Sequence, residues 1–319
     1  MTGEALSSVS VSGLITMDLH SLNNEGGEGN QIQTRMVHIV DGEGKLAVVN
    51  AVSGDMLKHI QSEHFQAIAN GGAELKLCGG CRRFSANRIN DDGVFMAALG
   101  DVKENAEILD RVLRSCAMDD VEGILITMGN RSTPRKSVVE FGWLVGLPDR
   151  TRTERYFHVK YDMAGRGEGS GGETGANVGQ NIFYRPASSG VYAAIVNVDL
   201  HRVGFNDISR EYAVEEHDRR RRQRVLLESL TYTFLKPNGA LRNTQNPHIT
   251  DFRGVVSWST GFVPAPMVSG LVGDVGKLRE ETDRIAAGLN RLNPGSVGFR
   301  AFEGLGDFAT AMAELVDRV

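Results

Sequence analysis

Hydrophobic and polar residues alternate near the start of the chain. From Val9 to Leu19 apolar residues or glycine occupy nearly every second position, with Ser10, Thr16 and Asp18 among the residues between them. A period of two predicts a half-buried β-strand that turns one face toward the core and its polar face away from it.

A hairpin is predicted next, after a polar and glycine-rich loop. The loop covers residues 20–34, and two apolar-rich segments, 35–40 and 45–49, then flank Asp-Gly-Glu-Gly at 41–44. Glycine and aspartate favour tight turns, so the two segments are expected to pair as antiparallel strands.

Helical spacing of apolar residues appears at five places. Ser53 is a good N-cap residue, and the pattern that follows it runs to Asn70, where Gly71-Gly72 ends it. The other helices are predicted at 103–118, 215–235, 275–292 and 303–319.

The remaining apolar segments predict strands, separated by two unusual regions. Residues 71–102 are irregular, and residues 164–179 are a glycine-rich, low-complexity segment that cannot bury a core. Because a strand-like segment lies on each side of the second region, we expect a mobile arm protruding from a sheet. The predicted strands are 121–128, 137–145, 155–161, 181–184, 191–203 and 252–259.

The order of these elements indicates the fold class. A β-α-β-β-α-β core with insertions is typical of α+β proteins with a ferredoxin-like or RRM-like sheet. Such a sheet has one open face, which commonly serves as a platform for single-stranded RNA.

Composition limits the class of protein. Of the 319 residues, 41% are hydrophobic and 24% charged, as in globular domains. No apolar run approaches the ~18 residues of a membrane span, and the N-terminus lacks the basic and apolar regions of a signal peptide. With three cysteines, a disulfide framework is not expected, and the expected location is cytoplasmic.

The net charge of the chain does not exclude binding to nucleic acid. A net charge of -5 by itself argues against a nucleic-acid binder. Most of the 35 basic residues are arginine, however, and the planar guanidinium grips phosphate and stacks on bases. A basic groove can also coexist with an acidic outer face, so RNA binding stays open.

Four segments together carry a resemblance to a known family. The chain resembles the repeating backbone subunit of CRISPR type I Cascade effector complexes, in the DevR-type branch of the family called Cas-seven. The segments are Gly13–Arg35, Val49–Ile60, Phe183–Tyr192 and Gly239–His248.

The resemblance implies a hand-like protein that binds RNA without cleaving it. It implies a single RRM-like palm over residues 1–319, with a finger-like insertion at 71–118 and a thumb-like arm at 158–184. Such subunits stack along the spacer of the guide RNA as a helical filament, and the exposed bases pair with target DNA. The implied protein partners are other copies of the chain, a five-prime-end cap subunit, a large subunit and a guide-processing endonuclease. No membrane partner and no cofactor are implied.

Candidate RNA-binding residues come from the resemblance and from local patterns. The family positions that contact the RNA backbone correspond to Ser53 and Lys58, and His59 is adjacent. Such contacts leave base edges free, as a guide complex requires. Arg131 and Arg135 precede a predicted strand, where they are suited to line a groove. The full set is Asn23, Asn24, Arg35, Ser53, Lys58, His59, Arg131, Arg135, Arg185 and Arg242. For His59 a core role, and for Arg242 the anchoring of its loop, are the structural alternatives.

An arginine cluster and a cysteine pair could suggest ligand binding, but each is better explained by a structural role. Arg219–Arg222 wrap around a helix, so we expect solvated side chains or ion pairs with Glu215 and Glu216 rather than an RNA patch. Cys78-Gly79-Gly80-Cys81 is half of a zinc-ribbon pattern without a second pair. We expect no metal there; zinc would need Cys116, His59 or His64 as further ligands.

Two other functions stay open at this point. Related backbone subunits of RNA-targeting complexes carry a catalytic aspartate in the loop after the first strand. Here that loop holds Glu25 and Glu28, while Asp18 lies in the predicted strand, so a metal-dependent endoribonuclease is the first alternative. A stand-alone autoregulator that binds its own transcript is the second.

Overall fold

The computed structural model describes residues 5–29, 31–100, 102–128, 131–161 and 180–319. This part of the chain folds as a mixed α/β protein around a large sheet. The strands are β1 (Leu6–His20), β2 (Asn24–Glu28), β3 (Gln31–Thr34), β4 (Met36–Val40), β5 (Leu46–Val52), β6 (Ile124–Met128), β7 (Arg131–Arg135), β8 (Val139–Phe141), β9 (Leu144–Tyr161), β10 (Gln180–Val198), β11 (Phe205–Asn206), β12 (Glu211–Tyr212), β13 (His248–Thr260) and β14 (Val297–Glu303).

The helices surround the sheet. They are α1 (Gly54–Asn70), α2 (Gly79–Arg82), α3 (Gly93–Leu99), α4 (Asn105–Ser115), α5 (Ala117–Glu122), α6 (Glu216–Leu235), α7 (Val275–Leu292) and α8 (Leu305–Val316). No helix in the described ranges combines the length and apolar character needed to cross a membrane.

The main sheet has the strand order β14-β13-β1-β10-β9-β5-β4. β1 is an interior strand and pairs antiparallel with β10 on one side and β13 on the other. α1 follows the hairpin β4–β5, and α6 connects β10 to β13 through the small hairpin β11–β12. A short separate hairpin is formed by β6 and β7.

One face of the sheet carries the main core. α1 packs against α6, and the side chain of Gln61 donates a hydrogen bond to Ser229 Oγ at 2.8 Å between them. Aromatic rings from α6, β13, β14 and α8 contact one another edge-on or stacked in the centre of this core: Phe234, Phe252, Phe302 and Phe308.

The opposite face of β1 is covered, which corrects the expectation of an open platform there. Ser8 and Ser12 are buried, and their hydroxyls accept hydrogen bonds from the amides of Ala265 and Val268. Val268 also packs with Leu278 of α7. The predicted polar face of the strand therefore binds the backbone of the segment before α7 rather than solvent or a ligand, because the hydroxyls satisfy amides that would otherwise be buried without partners.

Several predicted elements are confirmed. β1, the hairpin β4–β5, α1, α6 and α7 lie where the hydrophobic pattern indicates. Ser53 caps α1 as predicted, because its Oγ accepts a hydrogen bond from the Met56 amide at 3.2 Å.

Other elements differ from the prediction. The predicted loop 20–34 contains the hairpin β2–β3. The strand predicted at 121–128 begins only at Ile124, because residues 121 and 122 belong to α5, and Val297–Glu303 is a strand, β14, that the pattern did not indicate. The strand predicted at 137–145 is interrupted between β8 and β9. The two strands predicted at 181–184 and 191–203 are one, β10.

The two longest strands continue well beyond the main sheet. β9 and β10 pair from the sheet out to Tyr161 and Gln180. The predicted arm thus begins and ends on adjacent, paired strands, while residues 162–179 lie outside the described residues. In the region predicted to be finger-like, 71–118, the described residues form short helices, of which α2 contacts α1 and α4 contacts α5 and β7.

Candidate nucleic-acid interface

The N-terminus of α1 is built by residues that were predicted to contact RNA. Asn23 Oδ1 accepts the Ser53 amide proton at 2.9 Å, and Thr34 Oγ1 donates to the Asn23 carbonyl at 2.9 Å. Both Asn23 and Ser53 are buried. These two side chains therefore shape the start of the helix and hold the β2–β3 hairpin beside it, rather than pointing into solvent.

Lys58 and His59 lie one turn further along α1, at a cavity of about 240 Å³. The His59 ring stands 5.4 Å from the Phe84 ring. The Arg88 guanidinium donates to the Gly123 carbonyl at 2.7 Å. The cavity is lined by Asp55, Lys58, His59, Ser62, Phe84, Ser85, Ala86, Arg88 and Met118. Lys58 and Arg88 give this cavity two cationic groups, and Asp55 gives it one acid.

Burial shifts the pKa values of two ionisable groups at this cavity, Lys58 and Glu122. Partial burial lowers the pKa of the Lys58 ammonium below its ordinary value, while the nearby Glu122 carboxylate opposes the shift. Glu122 itself is buried beneath Lys58 and Arg88, and burial raises its pKa above the usual range. A cation held in a partly desolvated site binds an anion more strongly than one in water, because there is less solvent screening.

Arg35 lies between β3 and β4. Its guanidinium is 5.2 Å from the centre of the Trp143 ring. Its carbonyl accepts hydrogen bonds from the Ala51 amide and from Asn50 Nδ2. The backbone of Arg35 thus fixes the hairpin to the sheet, while its side chain lies over an aromatic surface.

A second group of candidates lies on the long strands. We define the arm face as Tyr156, His158, Lys160, Phe183 and Arg185, which lie on one side of the β9–β10 ladder. The His158 and Phe183 rings stack at 5.4 Å, and the Arg185 guanidinium lies 4.8 Å from the Phe183 ring. Arg185 Nη1 also donates to Thr244 Oγ1 at 3.0 Å.

The arm face borders an open cavity beside the β2–β3 hairpin. Its volume is about 460 Å³, and its lining residues are Gly27, Gly29, Gln31, Ile32, Lys160, Phe183 and Arg185. Aromatic rings beside cations suit stacking of bases and pairing with phosphates. Of the arm face, sequence reasoning named only Arg185; the alternation of aromatic and basic residues along 155–160 is the signal that was missed.

Arg242 lies on the loop between α6 and β13. Its guanidinium is 3.5 Å from Glu63 of α1, and the loop is tied to the end of β1 by a hydrogen bond from the Ala240 amide to the Leu22 carbonyl. Gln245 donates to the Pro186 carbonyl at 2.9 Å. The loop therefore joins α1 to the base of the arm, and Arg242 is exposed at that junction.

Arg135 is not placed for a ligand, which corrects its predicted position in a groove. Its guanidinium is fully buried and donates to the Asp120 carboxylate at 2.7 Å, to Asp207 at 2.8 Å and to three backbone carbonyls. Arg222 pairs with the same Asp120 at 2.8 Å. A buried carboxylate needs such partners, so these arginines link α5, β7 and α6 inside the protein.

Only part of the predicted arginine cluster is paired as expected. Arg220 forms an ion pair with Glu216, as predicted, whereas Arg221 pairs with Glu74 and Arg222 is buried against Asp120. Arg219 lies over the ring of Tyr212. Two further candidates, Asn24 and Arg131, belong to β2 and β7, but their side chains lie outside the described residues.

The family follows from a comparison with known proteins. The family model described as CRISPR-associated negative auto-regulator DevR/Csa2 matches residues 11–280. The chain belongs to the DevR/Csa2 family. All ten candidate RNA-binding residues of this family member lie inside the matched range.

Individual relatives agree with the family. A CRISPR-associated protein Cas7/Cst2/DevR from Methanocaldococcus jannaschii is 27% identical to this DevR/Csa2 family member over 228 residues, which are 66% of this chain and 68% of the relative. A chain of a CRISPR RNA-guided surveillance complex in a pre-nicking state has a similar fold, with a TM-score of 0.52 at 16% identity, covering 97% of this chain and 99% of that one.

Proposed function

We propose that the protein is a non-catalytic, guide-RNA-binding subunit that oligomerises along the spacer and forms the backbone of a Cascade-type complex in antiviral defence. The observation that carries this proposal is the family match over residues 11–280. The named relative and the structural neighbour are both CRISPR proteins, which supports the same assignment.

The topology supports an RRM-like palm. In chain order, β1, β9, β10 and β13 correspond to the first, second, third and fourth strands of such a fold, and their order in the sheet is β13-β1-β10-β9. α1 precedes the second of these strands and α6 precedes the fourth. This is the β-α-β-β-α-β arrangement with its strands in a 4-1-3-2 order. We assign the fingers to 71–118 and the thumb to 158–184 on this palm.

Two surfaces are assigned to RNA on this palm. The Lys58–Arg88 cavity and Arg35 are suited to phosphates, because both supply cationic side chains. The arm face is suited to bases and phosphates of RNA that passes along the arm. His59 and Arg242 lie beside these surfaces, and Asn23 and Ser53 hold the helix start in place.

The implied partners follow from this role. They are the guide RNA, the target DNA strand paired with it, neighbouring copies of the chain, and the cap, large and processing subunits of the complex. The location consistent with such partners is the cytoplasm. The contacts to RNA are expected to be independent of sequence, since a guide must accept any spacer.

Co-purification tests the proposal. The full chain, produced with a matching CRISPR array and the other subunits of its locus, is expected to carry RNA of uniform length. Incubation of the purified protein with labelled RNA and Mg²⁺ is expected to leave the RNA intact. Discrete products that disappear when Glu25 and Glu28 are changed to alanine would instead support the endoribonuclease, and binding restricted to the protein's own transcript would support the autoregulator.

A further inference from the structure

The three cysteines of the chain come together with one aspartate beneath the finger-like region. Cys78 caps α2 and Cys81 lies within it, and Cys116 and Asp119 lie at the junction of α4 and α5. One ligand atom from each of the four residues lies within 4.8 Å of the others, and all four residues are buried. The sequence pattern had one pair only; the fold supplies the third and fourth groups.

The local backbone is arranged for this cluster. The Cys81 amide points at Cys78 Sγ at 3.3 Å, which is a hydrogen bond that stabilises a thiolate. Gly80 leaves no space for a side chain, because a Cβ there would lie 1.7 Å from the Arg88 carbonyl oxygen. The Ala117 amide donates to the Lys76 carbonyl at 2.8 Å and holds the two cysteine-bearing segments side by side.

Asp119 supplies the second, independent observation. Its side chain is fully buried, and Oδ2 is 3.4 Å from both Cys78 Sγ and Cys81 Sγ. Oδ1 has no hydrogen-bond partner among the described residues. A buried carboxylate without a cation is costly, so a positive charge is expected at the centre of this cluster.

We propose that Cys78, Cys81, Cys116 and Asp119 bind one Zn²⁺ ion. Three thiolates and one carboxylate are a complete tetrahedral ligand set for a closed structural site. In such a site, ligand atoms lie about 2.0–2.3 Å from the metal, so modest side-chain adjustments bring atoms that are already within 4.8 Å into place. Thiolates favour zinc over magnesium or calcium, and the mixed sulfur–oxygen set favours zinc over copper(I).

The site would close the finger-like region at its base. Cys78 and Cys81 precede, and Cys116 and Asp119 follow, the segment that contains α3 and α4. A metal that joins both ends of this segment fixes it against α1, because the segment after α1 carries one half of the ligands. The role is structural, and it does not depend on the proposed RNA binding.

Metal analysis of the full-length protein tests the site. The chain is produced with a tag that binds no metal, and its metal content is measured by mass spectrometry after gel filtration. We expect one zinc per chain and three thiols that react slowly with a thiol reagent until a chelator is added. Replacement of zinc by Co²⁺ is expected to give the visible absorption of a tetrahedral thiolate site.

Variants separate the site from adventitious binding. Asp119→Asn and Cys116→Ser are expected to weaken zinc binding at least about tenfold in competition with a chelator. Glu107→Gln, an exposed carboxylate of α4, is the matched control and is expected to bind zinc normally. If Cys116→Ser fails to fold, Asp119→Asn and the cobalt spectrum of the native protein still test whether these residues bind zinc.

Three results would overturn the site. The first is a folded protein with no stoichiometric zinc and three readily titrated thiols. The second is a disulfide between two of the cysteines in protein purified under reducing conditions. The third is a zinc affinity, measured in competition with a chelator, that is the same in the native protein and Asp119→Asn.

Discussion

At the scale of single residues, several ionisable side chains are buried, and only some of them have a hydrogen-bonding or charged partner. Asp120 is fully paired with Arg135 and Arg222. His20, by contrast, is buried against the Tyr192 ring, and neither of its ring nitrogens has a hydrogen-bond partner in the described residues. Burial lowers the pKa of His20 to about 4, since the charged ring would lose its hydration.

His20 should make stability depend on pH. In the unfolded chain the ring titrates near 6.5, and in the folded chain near 4, so the unfolded state binds more protons between these values. The free energy of unfolding is therefore expected to fall as pH is lowered from 6.5 towards 4, by about 3 kcal/mol in total from this residue. Its contribution is constant above and below this window.

Urea unfolding at several pH values measures this effect. His20→Phe keeps an aromatic ring beside Tyr192 and removes the titration, so its stability should decline less over the same pH window. The difference in unfolding free energy between the native protein and the variant, taken at each pH, separates the effect of His20 from that of carboxylates that titrate in the same pH range. Parallel pH profiles for the two proteins would show that His20 does not have this role.

Lys58 and Arg35 should contribute to RNA affinity independently of RNA sequence. Lys58→Ala and Arg35→Ala each remove a cation from the proposed phosphate surface. Each lost phosphate contact is expected to reduce the slope of log affinity against log salt by ~0.7. Fluorescence anisotropy with several unrelated RNA sequences over a range of salt concentrations measures both quantities.

Lys45→Ala is the control for these two variants. Lys45 lies in the turn of the β4–β5 hairpin, where it pairs only with Glu43 and is well exposed. Its loss should leave the affinity and the salt slope unchanged. A reduction for Lys58→Ala or Arg35→Ala that varied strongly among the RNA sequences would argue for sequence-specific recognition, as an autoregulator requires.

At the scale of elements, the β9–β10 ladder carries exposed aromatic side chains beyond the main sheet. Side chains on both of its sides are aromatic: Phe157 is 55% exposed and contacts Tyr184 edge-on, while Phe183 lies between His158 and Arg185 on the arm face. A strand pair that leaves the sheet cannot bury such rings in the same core. Exposed aromatic surface of this kind commonly marks a binding surface.

Phe183 should therefore matter for RNA more than for folding. Phe183→Ala removes the ring between His158 and Arg185, and a stacked base would lose about 1–3 kcal/mol, which is about five- to 150-fold in affinity. The melting temperature should change little, because the ring is only half-buried on the ladder. Binding to a short oligonucleotide and thermal unfolding, measured on one preparation, give both values.

Phe262→Ala is the matched control for this variant. Phe262 is 94% exposed and contacts His201, away from the arm face. The control is expected to bind the oligonucleotide as the native protein does. An equal loss of affinity in the two variants would remove the arm face from the RNA-binding surface.

At the scale of the whole molecule, the paired strand ends define how the arm can be shortened. Tyr161 and Gln180 are partners in the ladder, so a tight turn can join the strands close to this point. Replacement of residues 166–178 with a short Gly-Ser turn should leave the monomer folded, because these residues have no apolar periodicity. Thermal unfolding and gel filtration check this part.

The same shortening should impair assembly on long RNA. If the arm reaches the neighbouring subunit, each subunit gains contacts only when its neighbour is bound, and coating of RNA is cooperative. Mobility shifts on long RNA should then lose cooperativity, while the affinity of one subunit for a short oligonucleotide changes less. Unchanged cooperativity would mean that residues 166–178 are an ordinary surface loop and that the thumb lies elsewhere.

The sequence alone determined the features that depend on local pattern. The period of two in β1, the N-cap at Ser53 and the helical spacing in α6 and α7 are each encoded within a short stretch, so they appear in the structure where they were predicted. The family was also accessible from four short motifs, since they carry it jointly. β14 was not predicted, because it is an edge strand whose position depends on its pairing with β13.

Tertiary structure decided what distant residues do together. Ser12 was predicted on the outward polar face of β1 but is buried and accepts the Val268 amide, and Arg135 was predicted in a groove but is the buried partner of Asp120. Likewise, Cys116 and Asp119 lie beside Cys78 and Cys81 although about 40 residues separate the two pairs along the chain. Burial and electrostatic pairing depend on which segments meet in space, and no local pattern in the sequence specifies that.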